Sequence, residues 1–367
     1  MPEANASLQL SIIIPLLNEA ESLPALLDDL GRQEGIPFEV ILVDGGSVDG
    51  TADRAAKLSA ESPFPCRVLQ SAKGRGRQLN AGAAAARGDL FLFLHADSTF
   101  ADPQALQQGV AALAAAREAR GHTRVAGHFA LRFARSSDEP SFAYAFYQAK
   151  ARLDRPECTH GDQGFLLHRD FFAAVGPFDE TLPLLEDTRL AESIRREGEW
   201  LLLPAEIATS ARRFESEGLY ERQALNAVIM NFAALKWQPF FDNAPGIYRS
   251  QNRTAPLRLS PFLRMFQALT LRMPWRQRLC LWYDTGTYVA PHIWQLAFVW
   301  DLRRAWRRGL PLEGCPTPIL DACDRWSPLL TRYPHGRLAA ALLVWFWYRF
   351  TLVAEARRIC CRDIPLC

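Results

Sequence analysis

Between Leu10 and Leu94 short apolar runs alternate with helical patterns, and this rhythm restricts the fold more than any other feature of the chain. Leu10 to Pro15, Phe38 to Val43, Cys66 to Gln70 and Leu90 to Leu94 have strand length and predict strands. The spacing between them predicts helices: one capped by Ser22, one over about Asp49 to Ala60, and one over the Ala-rich stretch Gln78 to Ala86. Strands separated by helices pair in parallel, because each crossover returns the chain to the same end of the sheet, and the helices cover both faces. Ligands of such a sheet bind beyond the carboxyl ends of its strands.

The pattern continues with a helix opened by Asp102-Pro103 and ending near Gly121, and with a half-buried strand over Val125 to Phe133. Further helices are predicted over Phe142 to Arg152, Glu186 to Glu197 and Ser216 to about Leu235, with a strand over Gly164 to His168. A chain of 367 residues exceeds what one core usually serves. We therefore expect an α/β domain over residues 8–236 and a helical, aromatic- and Arg-rich region over 237–367, with PFFDNAPGIYRSQNRTAPLRLSP as an irregular linker.

Composition excludes several classes. With 49% hydrophobic and 22% charged residues the chain folds rather than staying disordered, and a net charge of +2 argues against nucleic acid as a partner. Eight Cys without a CxxC pair read as reduced thiols, and the cluster Cys360, Cys361 and Cys367 lacks a spaced His/Cys set for a metal. MPEANASLQL has neither a basic nor an apolar leader segment, so the expected location is the cytoplasm.

Polar residues gather where the predicted strands end. The first strand delivers Pro15, Asn18 and Glu19, and the second delivers Asp44, Gly46 and Ser47, a carboxylate followed by flexible backbone that can approach a nucleotide closely. Lys73, Arg75, Arg77 and Asn80 stand on a glycine-punctuated loop leading into a helix, a place suited to anions, although the GxxxxGK[ST] pattern is absent. The fourth strand delivers His95-Ala96-Asp97, with His95 and Asp97 on one face, able to hold a divalent ion on diphosphate oxygens. Asp162 and Gln163 precede a strand, Glu186 and Asp187 open a helix, and Arg212 and Arg213 follow the last strand. Each group also has a plainer reading as a cap, a turn or a solvated charge.

Taken in order, SIIIPLLNE, VILVDGGSVDGT, GRGRQLN, GDLFLFLHAD and LLEDTRL resemble the successive motifs of family 2 glycosyltransferases with the GT-A fold, over about Leu8 to Phe214. The resemblance implies a GT-A-like, mostly parallel sheet flanked by helices, with a helical C-terminal extension. It implies an inverting, non-processive transfer from a nucleotide-diphosphate sugar, a UDP-sugar being favoured, to an acceptor hydroxyl. Glu19, Asp44 and Asp97 would serve the donor, Mg²⁺ or Mn²⁺ would be held by Asp97 and His95, and Asp187, with Glu186, would supply the base. The GRGRQ loop and HAD variant resemble a subgroup of which some members are named for arsenosugar biosynthesis. Asp44-Gly45 and His95-Ala96-Asp97 depart from the usual paired aspartates and Asp-x-Asp. Those departures leave open a non-catalytic nucleotide-sugar or glycan-binding protein. In residues 290–358, Ile293 to Arg308 joins an aromatic-aliphatic run to a basic end, and Leu338 to Ala354 is apolar but marginal for a span. This keeps a membrane-peripheral adaptor open and predicts peripheral contact at the inner face of the cell membrane, beside a lipid-linked acceptor.

Overall fold

The computed structural model describes residues 8–182, 184–251 and 256–362. They form two compact units, residues 1–136 with 147–210, and residues 137–146 with 211–367. The Cys360 and Cys361 side chains and Cys367 lie outside what is described.

The first unit runs β1 (Leu10–Leu16), α1 (Leu23–Gly31), β2 (Phe38–Asp44), α2 (Thr51–Glu61), β3 (Cys66–Gln70), α3 (Arg75–Ala85), β4 (Leu90–Phe93), β5 (Ser98–Thr99), α4 (Ala105–Arg120) and β6 (Val125–Ala134). After α5 (Phe142–Lys150) come a single 3₁₀ turn at Gly161–Gln163, β7 (Phe165–His168), α6 (Arg169–Val175), α7 (Glu186–Glu197) and β8 (Glu199–Ser210). The sheet order is β3-β2-β1-β4-β7-β6-β8-β5. Strands β3, β2, β1 and β4 are parallel, as the alternation predicts, whereas β7 runs antiparallel to both β4 and β6. This is an α/β fold with an open, mixed sheet flanked by helices.

Period-two alternation explains why the first strands are apolar throughout. Ile12, Ile14, Val40, Leu42 and Leu92 enter the core on one face, and Ile13, Ile41, Val43, Phe91 and Phe93 enter the core on the other. A sheet buried on both sides leaves its strand ends as the place where polar side chains can gather.

The second unit contains α8 (Arg212–Glu217), α9 (Leu219–Ala234), α10 (Gln238–Ser250), α11 (Ser260–Leu271), α12 (Trp275–Val289), α13 (Trp294–Arg307), α14 (Pro318–Thr331) and α15 (Pro334–Arg362). The division falls at Ser210, ahead of the boundary expected near Lys236, because Leu225 and Phe232 of α9 pack with Phe240, Phe262 and Leu281 of this unit. The linker expected from Pro239 onward is mostly helix: Pro239 sits in the first turn of α10, where a missing N–H is harmless, and Phe240 is anchored against Phe232 at 4.8 Å. The single helix expected from Ser216 is broken at Gly218 (φ 90°).

Two carboxylates, half-buried Glu355 and buried Asp301, cap helices here. Glu355 accepts from the Leu259 and Ser260 amides at the start of α11, and Asp301 from the Ile319 and Leu320 amides at the start of α14. Gly286 lets α12 and α15 cross closely, since a Cβ there would stand 2.1 Å from the Arg337 carbonyl oxygen. By length and composition alone, Pro334–Glu355 is long enough to cross a membrane.

Candidate active site

The loops after β1 and β2 are tied together strand to strand. Asn18, in the left-handed region at φ 57°, accepts from the Val48 amide at 2.9 Å and donates its own amide to Ser47 Oγ at 2.9 Å. The Glu19 amide donates to Thr51 Oγ1, and the Ala20 amide to Asp49 Oδ2. The expected cap at Ser22 is therefore corrected: its hydroxyl turns back to Glu19 rather than to a helix amide. Ser47 is occupied by Asn18, and α2 starts at Thr51 behind Gly50.

Asp44 is 1% exposed, and its carboxylate accepts the Gly46 and Ser47 amides at 3.0 and 3.1 Å. It shapes the loop after β2 instead of standing open to solvent. Gln78 explains the neighbouring glycine. Its buried side-chain amide donates to the carbonyls of Leu16 and Val43, at 2.7 and 2.8 Å, and clamps the ends of β1 and β2. A Cβ at position 45 would lie 2.8 Å from that amide, so Gly45 is required where the resemblance leads one to expect a second aspartate. Gln78 is not among the site residues expected from sequence, although it lies within the GRGRQLN motif.

The loop expected over Lys73–Arg77 is largely helix: α3 begins at Arg75, with Gly74 (φ 139°) turning the chain into it. Lys73 is exposed beside that N-terminus. Arg75 pairs with Glu186 at 3.0 Å, and Arg77 lies 3.9 Å from Glu180. Asn80 faces elsewhere: it exchanges hydrogen bonds with the Phe178 backbone and donates to Glu180, holding the segment before α7. This removes Asn80 from the expected anion-binding set.

Strand β4 ends at Phe93, so His95 and Asp97 stand half-buried in the turn beyond it, where strand alternation no longer sets their direction, while Ala96 is buried in the core and can offer only backbone. Opposite them stands the turn His160–Gly164. A Cβ at Gly161 would lie 3.0 Å from both His95 Nε2 and Asp187 Oδ2, so His95, Gly161 and Asp187 meet at one point. Asp187 Oδ2 accepts the Gly161 amide at 2.9 Å and Oδ1 the Thr188 amide at 2.7 Å. Leu185, at φ 71°, turns the chain so that Glu186 and Asp187 open α7.

Charges split the carboxylates in function. Burial drives Asp162 up, to about 6, His160 opposes it, and the Asp187 and Asp97 charges add to the rise. Burial would raise Asp187 too, but His160, Arg75, the Gly161 amide and His95 outweigh it and hold Asp187 below the usual aspartate range. Glu186 is raised by burial against the pull of Arg75. Asp162 Oδ1 is buried with no hydrogen-bond partner.

Gln163, expected to reach a ligand, is 0% exposed. Its Oε1 accepts the His160 amide at 2.8 Å, and its Nε2 donates to the Ala151 carbonyl at 2.8 Å and to His128 Nδ1 at 2.9 Å. It fastens the turn from behind. His160, Gly161 and His128 were not singled out from sequence; the first two directly precede Asp162 and Gln163, which were. Arg212 and Arg213 open α8, which belongs to the second unit.

Among the described residues no group of three or more His, Cys, Asp or Glu side chains is arranged to hold a metal. The donor set that exists, Asp97 with the unpartnered oxygen of Asp162, fits Mg²⁺ or Mn²⁺, ions usually held by one or two carboxylates together with substrate phosphates. His95 lies at the Asp187 side of the cluster, which favours it as a neighbour of that carboxylate over a metal ligand.

Residues 11–176 match the family model described as glycosyl transferase family 2. A PGL/p-HBAD biosynthesis glycosyltransferase of Mycobacterium bovis (strain BCG / Pasteur 1173P2) is 32% identical over 179 residues, 48% of this chain and 66% of the relative. An undecaprenyl-phosphate 4-deoxy-4-formamido-L-arabinose transferase of Serratia proteamaculans (strain 568) is 40% identical over 95 residues, 24% of this chain and 29% of the relative. The chain thus spans just under two thirds of the first relative and under one third of the second. Among solved structures, a mannosyltransferase from Pyrobaculum calidifontis in complex with GDP-Man and Mn²⁺ has the same fold, with TM-score 0.50 and 18% identity over 99% of this chain and 90% of that one.

Proposed function

From a chain whose residues 11–176 match glycosyl transferase family 2 on a GT-A fold, we propose an inverting, non-processive transfer of one sugar from a nucleoside-diphosphate donor to an acceptor hydroxyl. The observation that carries this reading is the meeting of His95, Asp162 and Asp187 around Gly161 at the carboxyl end of the sheet.

In this reading the nucleoside lies over the tied loops after β1 and β2, meeting Glu19 and the backbone that Asp44 shapes. The diphosphate faces Lys73 and the N-terminus of α3, where unpaired helix amides favour an anion. Bound Mg²⁺ or Mn²⁺ would neutralise the diphosphate as it departs, with Asp97 and Asp162 as its protein ligands. Asp187 removes the proton of the acceptor hydroxyl as its oxygen attacks the anomeric carbon. The new C–O bond forms on the face opposite the breaking bond to the diphosphate, which leaves as the nucleoside diphosphate. A carboxylate held ionised by two amides and nearby cations suits that role, and Arg75 and Glu186 fix the helix that presents it.

The acceptor we favour is carried by a lipid at the inner face of the membrane. The name of the Serratia relative supports that choice, since it joins a sugar to a lipid phosphate. The test is nucleotide release from a panel of nucleoside-diphosphate sugars, with lipid-phosphate and glycan acceptors, in Mg²⁺ or Mn²⁺ and after chelation. Release that depends on both donor and acceptor is expected. Donor binding with no release under any acceptor would favour a binding protein.

Gly161→Ala gives a sharper check. The added Cβ must push Asp187 or His95 aside, so turnover falls about 100-fold, the scale expected for a small misplacement at a reacting centre. Far-UV circular dichroism stays unchanged, because the turn lies outside the strands and helices of the core. Wild-type turnover in this variant would remove the cluster from the chemistry.

A further inference from the structure

We propose that the second unit docks side-on against an anionic lipid bilayer through the outward faces of α13 and α15, with α15 lying in the headgroup region rather than crossing it. On α15, Leu338, Leu342, Phe346 and Phe350 recur every four residues and form one continuous exposed stripe, with Phe350 73% exposed. Such a run of large apolar side chains marks a contact surface rather than a wetted one. On α13 the same arrangement acquires charge: Leu296 and Trp300, the latter 67% exposed, are followed on the same face by Arg304 and Arg307. Aromatic and aliphatic groups beside guanidinium groups suit the boundary between acyl chains and phosphate headgroups.

The charge distribution points to the sign of the partner. The whole chain carries only +2, but the second unit, residues 137–146 with 211–367, holds 22 of its 42 Lys and Arg and only 13 of its 40 Asp and Glu, a balance of +9. The remaining residues are correspondingly acidic, so the near-neutral total hides a strongly cationic second unit. Two such units repel each other, whereas an anionic surface attracts each of them.

Arg349 also argues for lipid over a second copy of the chain. It is exposed within the α15 stripe, where a protein–protein interface would have to desolvate it. At a bilayer its long side chain can reach the headgroups while its methylenes stay among apolar atoms. The reverse side of α15 argues against a span. Ala341, Tyr348 and Thr351 are buried there, and Glu355 caps α11, so one side of the helix is already committed to its own unit.

Flotation of the full chain with vesicles of phosphatidylcholine, and of phosphatidylcholine mixed with phosphatidylglycerol, tests the proposal. Binding to the mixed vesicles is expected, at least about tenfold stronger than to the neutral ones. Arg304→Gln with Arg307→Gln weakens it on the order of 30-fold. Phe346→Glu with Phe350→Glu abolishes it while circular dichroism stays unchanged, since both rings are exposed. High salt or an alkaline wash releases the bound protein. Equal binding to neutral vesicles, or none to either, overturns the proposal. So does a concentration-dependent dimer broken by Phe350→Glu, which assigns the face to a second copy, or retention after the alkaline wash, which indicates a span. Flotation needs neither donor nor acceptor, so its failure leaves the transfer reading standing, and Asp187→Asn should float like wild type.

Discussion

Asp187→Asn should lower the turnover number for sugar transfer by about 10²–10⁴-fold, the range attributed to a positioned general base. The asparagine carbonyl can still accept either the Gly161 or the Thr188 amide, so the start of α7 should keep its place. What disappears is the negative charge that His160, Arg75 and His95 stabilise, and with it the ability to take the acceptor proton. The Michaelis constant for the donor should move little, because no donor contact is assigned to this carboxylate. Glu186→Gln is the natural comparison. That residue is 2% exposed and paired with Arg75, so its loss should act through the position of α7 and through stability more than through proton transfer. Equal turnover in wild type and Asp187→Asn, measured by nucleotide release, would falsify the assignment of the base.

Gln163→Leu should destabilise the first unit by about 4 kcal/mol, because it strands three partners at once, two of them on buried residues. The His160 amide and the Ala151 carbonyl lose their only assigned partner here, and His128 Nδ1 loses its donor, each worth about 1–3 kcal/mol when left unsatisfied. The geometry also assigns a proton. With Oε1 accepting from His160, both hydrogens of Gln163 Nε2 are committed, one of them to His128 Nδ1, so His128 is neutral and protonated on Nε2. Burial agrees, lowering the His128 pKa from 6.5 to about 4.

The pH dependence follows in sign. Above 6.5 the ring is neutral in both folded and unfolded chains and contributes nothing. Below it the unfolded chain binds a proton that the folded one refuses, so stability drains away as the pH falls towards about 4, by about 3 kcal/mol in all. Hydrogen exchange across β6 and β7 reads both effects. Protection should fall over that pH window in the wild type, and the fall should flatten in His128→Asn. An unchanged slope in that variant would assign the acid sensitivity to another group.

The two departures from the family pattern that suggested a binding protein have different explanations. Gly45 follows from Gln78, whose clamp on the ends of β1 and β2 leaves no space for a Cβ. It therefore says nothing against catalysis. His95 stands against Asp187, among the groups that keep that carboxylate ionised. Its presence in place of an aspartate moves cationic character towards the proposed base.

The sequence by itself determined the parallel strands, their order of appearance and the edge where the polar residues collect. Periodicity is local, and strands buried on both faces, such as Ile12 to Ile14 and Val40 to Val43, announce themselves as apolar runs. It also marked Asp97, Asp162 and Asp187, because each stands at the end or start of an element. Only the tertiary structure decided which polar groups face the cleft and which serve the scaffold. Asp44, Asn80 and Gln163 look like ligand-facing residues in sequence, yet Asp44 is spent on the amides of its own loop, and Asn80 and Gln163 on backbone groups of other segments. The same holds for the pairing of His160 with two carboxylates and for the partner of Arg75, which lies 111 residues away in the chain. A hydrogen bond or a charge pair depends on distance in space, and no local pattern records which distant backbone a side chain will meet.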